Sequence, residues 1–447
     1  MALLLGATVA VGGGPARVKD GFSVAAVGDI IIVQPISQSA DRAFQAMASK
    51  LRDADVAIGN LEGSAFDMRR FKGHPQAEFG GVLINGSPEA AADLRSLGLD
   101  VVSRANNHSL DWGVEGMRLT SETLDAAGIA FAGVGEDRAA ARAPSYVDTP
   151  KGRVALVSAA SSYTDISRAA APVGAAPGRP GVSALRTTRW ALVTPEEAKV
   201  LRRIRDEAPG ADHASVNDDP DQFELFGNDY RVADRRGFEY ELRPVDRDEV
   251  LQSVREAKEA AGFVVLALHV HQPGNWSEQP PDFLPRFARA AIDAGADQVV
   301  SHGPHRLRGI EIYKGKPIFY SLANFVFQLD LLGPISEDLY ERFDLDPSEV
   351  SDAEFSRRWA AREFGGELWW RSVVAVSRFD KGVVSEIRLY PIDLDHAGRH
   401  GVRGVPRLAS PALARTVLQD LRRLSAPFGT SVAIEGDVGI VRLARQR

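Results

Sequence analysis

Five places in the chain set metal-ligating side chains directly after a short strand-like run. Phe22–Val27 leads to Asp29, Val56–Ile58 to Glu62, and Leu97–Val102 to Asn107 and His108. Phe263–Leu268 leads to His269 and His271, and Gln298–Val300 to His302 and His305. Loops at the ends of sheet strands are where α/β proteins place chemistry. A mixture of carboxylate, amide oxygen and imidazole suits Mn, Zn or Fe, and two such ions sharing a carboxylate and a water supply a hydroxide nucleophile near neutral pH. Asp111, three residues after His108, is spaced to orient that imidazole as a general acid. Each stretch alone has a plain structural explanation. Gly28-Asp29 reads equally as a turn, Glu62 as a solvated loop acid, Asn107-His108 as a capped turn, and the late histidines as hydrogen-bonded loop residues. Five in succession, each after a β-run, argue for one shared site of about two divalent ions.

The elements that must position these residues alternate between strand and helix over the first 160 residues, which predicts α/β layers. The runs are short and almost continuously apolar, as buried strands are. Alternation puts His269 and His271 on one face of their strand. Pro88–Ser96 reads as a helix with Ser87 as its N-cap, and Thr194-Pro195-Glu196-Glu197 as another helix start. The pattern breaks down between about 161 and 246, which reads as an insertion, and again from 329 to 364, acidic and helix-like in places. A hairpin is expected around Lys314-Gly315-Lys316, with further strands at Val373–Val376 and Val383–Tyr390. The organisation read from this is an N-terminal segment, 1–21, a main domain, 22–398, and a C-terminal extension, 399–447, packed on the core. His74 and His213 read as exposed, and His396 and His400 have no evident partner.

The chain has 447 residues and no cysteine, which excludes disulfides, iron–sulfur clusters, thiolate zinc sites and a cysteine nucleophile. The formal charge is -7 and the arginines are dispersed, so no electrostatic footprint for nucleic acid is present. No apolar run reaches the roughly 18 residues that a membrane-spanning helix needs. Ala2–Val11 resembles the apolar part of a signal peptide but lacks the preceding basic residues. On balance the reading favours a bacterial, extracytoplasmic protein over a cytoplasmic one.

Several of these stretches match a known family. Val27-Gly28-Asp29, Asn60-Leu61-Glu62, Ala105-Asn106-Asn107-His108 with Asp111 and Gly113, and Leu268-His269 are followed by Asp293–Asp297, His302, Pro304-His305 and Tyr320-Ser321-Leu322-Ala323-Asn324-Phe325. Together they resemble the bacterial capsule-synthesis CapA (poly-γ-glutamate biosynthesis) family, which looks like a branch of the calcineurin-like metallophosphoesterase superfamily. The resemblance implies a four-layer α/β/β/α sandwich with surface insertions. It implies Asp29, Glu62, Asn107, His269, His302 and His305 as the metal shell, with His108 and Asp111 as the proton-transfer pair. The implied activity is metal-dependent hydrolysis of poly-γ-glutamate or a related γ-glutamyl or amide substrate, a polymer or peptide of anionic character. A phosphoesterase with the same site, or a non-catalytic polymer-binding component of capsule synthesis, are the alternatives. The sequence departs from the family pattern at Val270, often Trp, at Gly303, often His, and at Ala323, where Gly is usual. Ile31 stands where calcineurin-type enzymes have a histidine. His271 is the candidate to replace the imidazole missing at 303.

Overall fold

The computed structural model describes residues 16–76, 82–208 and 219–443. The apolar run Ala2–Val11 and His213 lie outside the described residues.

The strand Phe22–Ile31 sits inside the larger of two main sheets. It pairs in parallel with Val56–Leu61, which continues in parallel to Val101–Ser103 and Ala130–Ala132. On its other side it pairs antiparallel with Arg371–Asp380, followed by Val383–Asp393, Val438–Arg442 and Ala433–Glu435. Asn324–Phe327 runs parallel to its C-terminal end. The second sheet has six strands, with Gly152–Ala160, Phe263–His269, Gln298–His302 and Lys316–Phe319 parallel at its centre and Ser145–Thr149 and Ile310–Tyr313 antiparallel at its edges.

Side-chain alternation along these strands builds two cores from each sheet. Val24 and Ala26 of the first sheet meet Val154, Leu156, Phe263, Val265 and Ala267 of the second in one buried cluster between the sheets. Ala25 and Val27 point the other way, onto the helices Arg42–Arg52 and Pro88–Leu97. Val264, Leu266 and Leu268 face the helices Pro244–Ala260 and Phe283–Ala294. The result is the four-layer α/β/β/α arrangement. The helix Arg42–Arg52 shows why each layer closes. Asp41 caps it by accepting from the Phe44 amide, and Phe44, Met47, Ala48 and Leu51 repeat at helical spacing on its buried face. Each large apolar side chain so buried contributes roughly 1.5–3 kcal/mol.

The first strand carries an irregularity where the chemistry begins. Its pairing with Val56–Leu61 shifts between Ala26 and Asp29. Val27 and Ile30, three apart, both lie in the helix-side core. The shift therefore turns Asp29 away from the side occupied by Val27 and toward the second sheet. β-Bulges re-aim side chains in this way beside active sites.

Two expectations need correction. The stretch 161–246 is not simply irregular. It holds a four-stranded sheet of Gln222–Leu225, Asn228–Val232, Thr187–Val193 and Gly237–Leu242, with the helix Pro195–Glu207 packed on it. These strands carry charged residues at alternate positions and bury a core of few residues, so their apolar signal is weak. Nor are His396 and His400 without partners. His396 Nε2 donates to the Gly365 carbonyl at 2.9 Å, and His400 Nδ1 lies 3.1 Å from Asp330 Oδ2. His74 is exposed, as expected. The segment beyond 399 contributes the helix Pro411–Ser425 to the inter-sheet core and three strands to the larger sheet.

Candidate metal centre

The parallel strands of both sheets point their C-terminal ends at one place. Phe22–Ile31 brings Asp29, Val56–Leu61 brings Glu62, the turn after Val101–Ser103 brings Asn107 and His108, and Phe263–His269 brings His269 and then His271. Two overlapping groups of ligand atoms result, each within 4.8 Å of one another: Asp29, Glu62 and His269, and Glu62, His271 and His305. Glu62 belongs to both. Its Oε1 lies 3.5 Å from His269 Nε2 and 3.8 Å from the Nε2 atoms of His271 and His305. Asn107 Oδ1 also spans the two groups, 2.6 Å from His269 Nε2 and 3.2 Å from His271 Nε2.

The electrostatics of this cluster call for a cation. Both Glu62 oxygens are buried with no hydrogen-bond partner. Burial, with a smaller contribution from Asp111, pushes the Glu62 carboxyl up to about 8. Burial and the neighbouring Glu62 raise Asp29 well above the ordinary range, although Asn60 Nδ2 and the Gly303 amide donate to its two oxygens at 2.8 and 3.1 Å. The imidazoles shift the other way. Burial lowers His269 and His305 well below their usual value and holds His271 at about 4. Neutral imidazoles beside orphaned carboxylate oxygens are the donor set that a divalent transition metal takes.

A ring of amides sets the imidazole tautomers. His305 Nδ1 donates to Asn324 Oδ1 at 2.9 Å, and Asn324 Nδ2 is itself held by the carbonyls of His305 and Trp369. His271 Nδ1 donates to Asn275 Oδ1 at 2.8 Å. In both rings the lone pair is thereby on Nε2, the atom nearer Glu62. For His271 that lone pair lies against the Asn107 carbonyl oxygen, a contact that a cation between them would make favourable. Asn60 lies 3.2 Å from His269 Nδ1, and Asn106 Nδ2 donates to Asn60 Oδ1 and to the Leu61 carbonyl. Such outer partners orient ligands and tune their basicity. The sequence reading gave no role to Asn60, Asn106, Asn275 or Asn324. Asn60, Asn106 and Asn324 stand inside the quoted family motifs, which was the available signal.

His302 does not converge with the rest. Its Nε2 faces the Val27 carbonyl at 3.3 Å, its Nδ1 is buried without a partner, and it falls in neither ligand group. Its role as a ligand therefore stays an expectation, with Nδ1 the ring atom left without a partner. Its ring is turned onto the backbone of the first strand, while His305, at a φ of 55°, is turned into the cluster. Gly303 has a φ of 113°, and a Cβ there would meet the Val270 backbone at 3.1 Å and His271 Cδ2 at 3.2 Å. The His271 ring thus lies against the place where a side chain at 303 would start.

His108 and Asp111 form a pair of their own, with His108 Nδ1 donating to Asp111 Oδ2 at 2.8 Å. The Ile84 amide donates to the same oxygen, also at 2.8 Å. Burial alone would lower the His108 pKa, but Asp111, with Glu62 and Asp29 behind it, holds it above the usual value. With Nδ1 engaged, the proton available to a substrate is on Nε2. A cavity of about 190 Å³ opens onto the centre, lined by Asn107, His108, His271 and His305 and walled by Trp359 and Phe364. The second insertion therefore shapes the mouth of the site, whereas the first supplies Ser162, whose hydroxyl accepts from the His271 amide at 2.9 Å.

A sequence profile described as "Bacterial capsule synthesis protein PGA_cap" matches residues 23–329, a span that includes every ligand above. The chain belongs to this capsule-synthesis family. Two proteins of Sinorhizobium fredii (strain NBRC 101917 / NGR234), y4sH and y4uA, each described as an uncharacterized protein, are 47% identical over 440 residues, covering 96% of this chain and 94% of theirs. The "PGA biosynthesis protein CapA" of Bacillus subtilis (strain 168) is 27% identical over 313 residues, 69% of this chain and 64% of its own length. The chain thus spans a little under two thirds of that relative. A solved 5'-nucleotidase precursor from Thermus thermophilus aligns at 11% identity with a TM-score of 0.34, covering 91% of this chain and 58% of that one.

Proposed function

We propose that this capsule-synthesis family member is a divalent-metal-dependent hydrolase acting on poly-γ-glutamate or a related γ-glutamyl amide, outside the cytoplasm. One observation carries the reading. The buried carboxylate of Glu62 has both oxygens unsatisfied and is shared by two ligand groups whose remaining members are Asp29, His269, His271 and His305. These residues, with the Asn107 oxygen, would hold the ions. Bound there, divalent metal supplies a Lewis acid and a water acidified to near neutral. The chain's own residues supply the rest. His108 carries a proton at Nε2 for the leaving group, and Asp111 fixes its tautomer and offsets the charge it would otherwise lose by burial. Trp359 and Phe364 narrow the mouth and limit water. The relatives named for PGA and capsule biosynthesis support the choice of polymer.

A structural site would have no use for a buried acid–base pair at the cavity wall, and this favours catalysis. The placement of His302 outside both groups favours the second reading, a polymer-binding component whose metal is structural. Elemental analysis after expression with Mn or Zn separates the cases first. Bound metal below about 0.2 per chain counts against any metal centre. Asn107→Ala should lose metal, whereas His108→Ala should keep metal and lose turnover by roughly 10²–10⁴-fold. Full activity in both variants would sink the assignment. Metal-loaded protein that binds γ-glutamyl oligomers and cleaves neither these nor phosphodiesters would establish the second reading.

A further inference from the structure

A second charged cavity, of about 240 Å³, lies on the rim of the smaller sheet, lined by Arg138, Arg142, Arg168, Arg186 and Asp246 among small apolar residues. Part of this cluster is structural. Asp246 is buried and accepts from Arg142 Nη2 at 2.8 Å and from the Arg186 Nη2 and backbone amide at 2.8 and 3.0 Å. Glu249 pairs with Arg138 and Arg142. Four guanidiniums thus face Asp246, Glu249 and the exposed Asp165, which leaves a surplus of positive charge. The surplus is also visible atom by atom. Arg142 is about 6% exposed and its Nε has no hydrogen-bond partner, while the buried Nε of Arg168 has none either. Arg168 makes no side-chain hydrogen bond or ion pair among the described residues. Buried guanidinium nitrogens without partners also occur at Arg104 and Arg308; here two of them line one cavity beside a surplus of positive charge, and each is costly until an acceptor takes it.

The cavity is joined to the metal centre through backbone. Arg142 Nη2 also donates to the Ala184 carbonyl, Ala184 bridges Ala160 in parallel, and the next residue, Ser161, donates its amide to the His269 carbonyl. One strand end therefore separates the arginines from a metal ligand.

We infer that this arginine-lined cavity is a second binding site, which holds the free α-carboxylates of a γ-glutamyl polymer while another part of the same chain lies at the metal centre. Guanidinium forks match carboxylates in two-point geometry. The mouth of the metal centre offers no such group among its lining residues and carries an acid, Glu363. An anionic polymer therefore needs its positive contacts elsewhere, and the nearby surplus supplies them. The choice of a polyglutamate-type ligand rests on the proposed function; the oxyanion chemistry of the site does not.

The test uses full-length protein stripped of metal with a chelator, titrated with a γ-glutamyl oligomer and, in parallel, with inorganic phosphate. The oligomer should bind with an affinity that falls steeply with salt. Arg168→Ala should weaken it about tenfold or more, as loss of one charge-assisted contact implies, with Arg168→Lys intermediate. Arg142 and Arg186 stay intact, since removing either strips Asp246 of a partner. Binding that vanishes with the metal, or that Arg168→Ala leaves untouched, overturns the inference. So does a site that takes phosphate but not the oligomer. Hydrolysis by the metal-loaded protein is measured separately. Its absence would defeat the hydrolase reading and leave chelator-resistant binding standing, and the converse outcome would defeat only this site.

Discussion

Replacing Glu62 by glutamine should make the metal-free protein more stable and the metal-loaded protein less so. The Glu62 carboxyl is pushed up to about 8 by burial against an ordinary 4.5, so at pH 7 the metal-free fold holds it as the acid while the unfolded chain releases the proton. A carboxyl with a raised folded-state pKa costs nothing below 4.5, destabilises progressively as pH rises toward 8, and reaches its full penalty above that. At pH 7 the penalty is about 3 kcal/mol, at roughly 1.4 kcal/mol for each pH unit above 4.5. Glutamine has no proton to lose, so Glu62→Gln removes this term. With an unfolding entropy of roughly 2.1 cal/mol/K per residue, a 447-residue chain should gain about 3 °C in Tm under chelator at pH 7 and almost nothing at pH 4.5. Added Mn or Zn should raise the Tm of the parent and leave the variant nearly unmoved, because the variant lacks the shared anionic ligand. Thermal melts at the two pH values, with and without metal, give all the comparisons. A variant less stable than the parent in chelator at pH 7, or one that gains as much from metal as the parent does, refutes the argument.

Asp111→Asn keeps the shape of the His108 pair but removes its charge. Metal content should hold while kcat falls roughly 10–100-fold, with rescue absent on adding metal. Ala323 adopts a φ of 57°, a left-handed conformation that costs a non-glycine residue roughly 1–2 kcal/mol. Ala323→Gly should therefore be tolerated and stabilise by up to about 1 kcal/mol in urea melts, once the extra backbone entropy of glycine is set against the relief; a loss above that would show the strain argument to be wrong. Asp330 is buried, which alone would raise its pKa, but Arg403 and His400 hold it below 3.8. Its stabilising contribution is complete above 3.8 and fades as pH falls through the lowered value. Asp330→Asn should cost roughly 3–5 kcal/mol near pH 7, and the difference from the parent should shrink in acid.

The α/β layers and the strand ends that carry the donors were legible in the sequence because both depend on local order, whereas the four-layer sandwich came from the family resemblance. Phe263–Leu268 reads as a buried strand from its composition, and alternation alone puts His269 and His271 on one side. Asp29, Glu62 and Asn107 each follow a strand-like run closely. What was not legible depends on contacts across long separations. Nothing local distinguishes His302 from His305; the difference is a backbone turn at His305 and a carbonyl of the first strand, 275 residues away, that takes up the His302 ring. Asn275 and Asn324 look like ordinary turn residues until the rings they orient are beside them. The insertion 329–364 was expected to shape the pocket, but its acidic helical pattern does not single out Trp359 and Phe364 as the residues that wall it. The small sheet between 187 and 242 escaped because its strands alternate charge with few apolar residues, and its core holds little more than Ala198, Phe223 and Leu225.

The antiparallel pairing of Phe22–Ile31 with Arg371–Asp380 bears on how the chain is made. The strand that presents Asp29 leaves the ribosome about 340 residues before its partner. At roughly 5–20 residues per second, that interval is about 20–70 s. Throughout it, one long apolar strand has an open hydrogen-bonding edge, the kind of edge that recruits other chains. Nascent protein should therefore depend on a holding chaperone, and chains interrupted before residue 371 should aggregate through their first strand. Asp29 and its neighbours reach their final positions only after Arg371–Asp380 has emerged, so metal would be captured after that point and not by the shorter nascent chain.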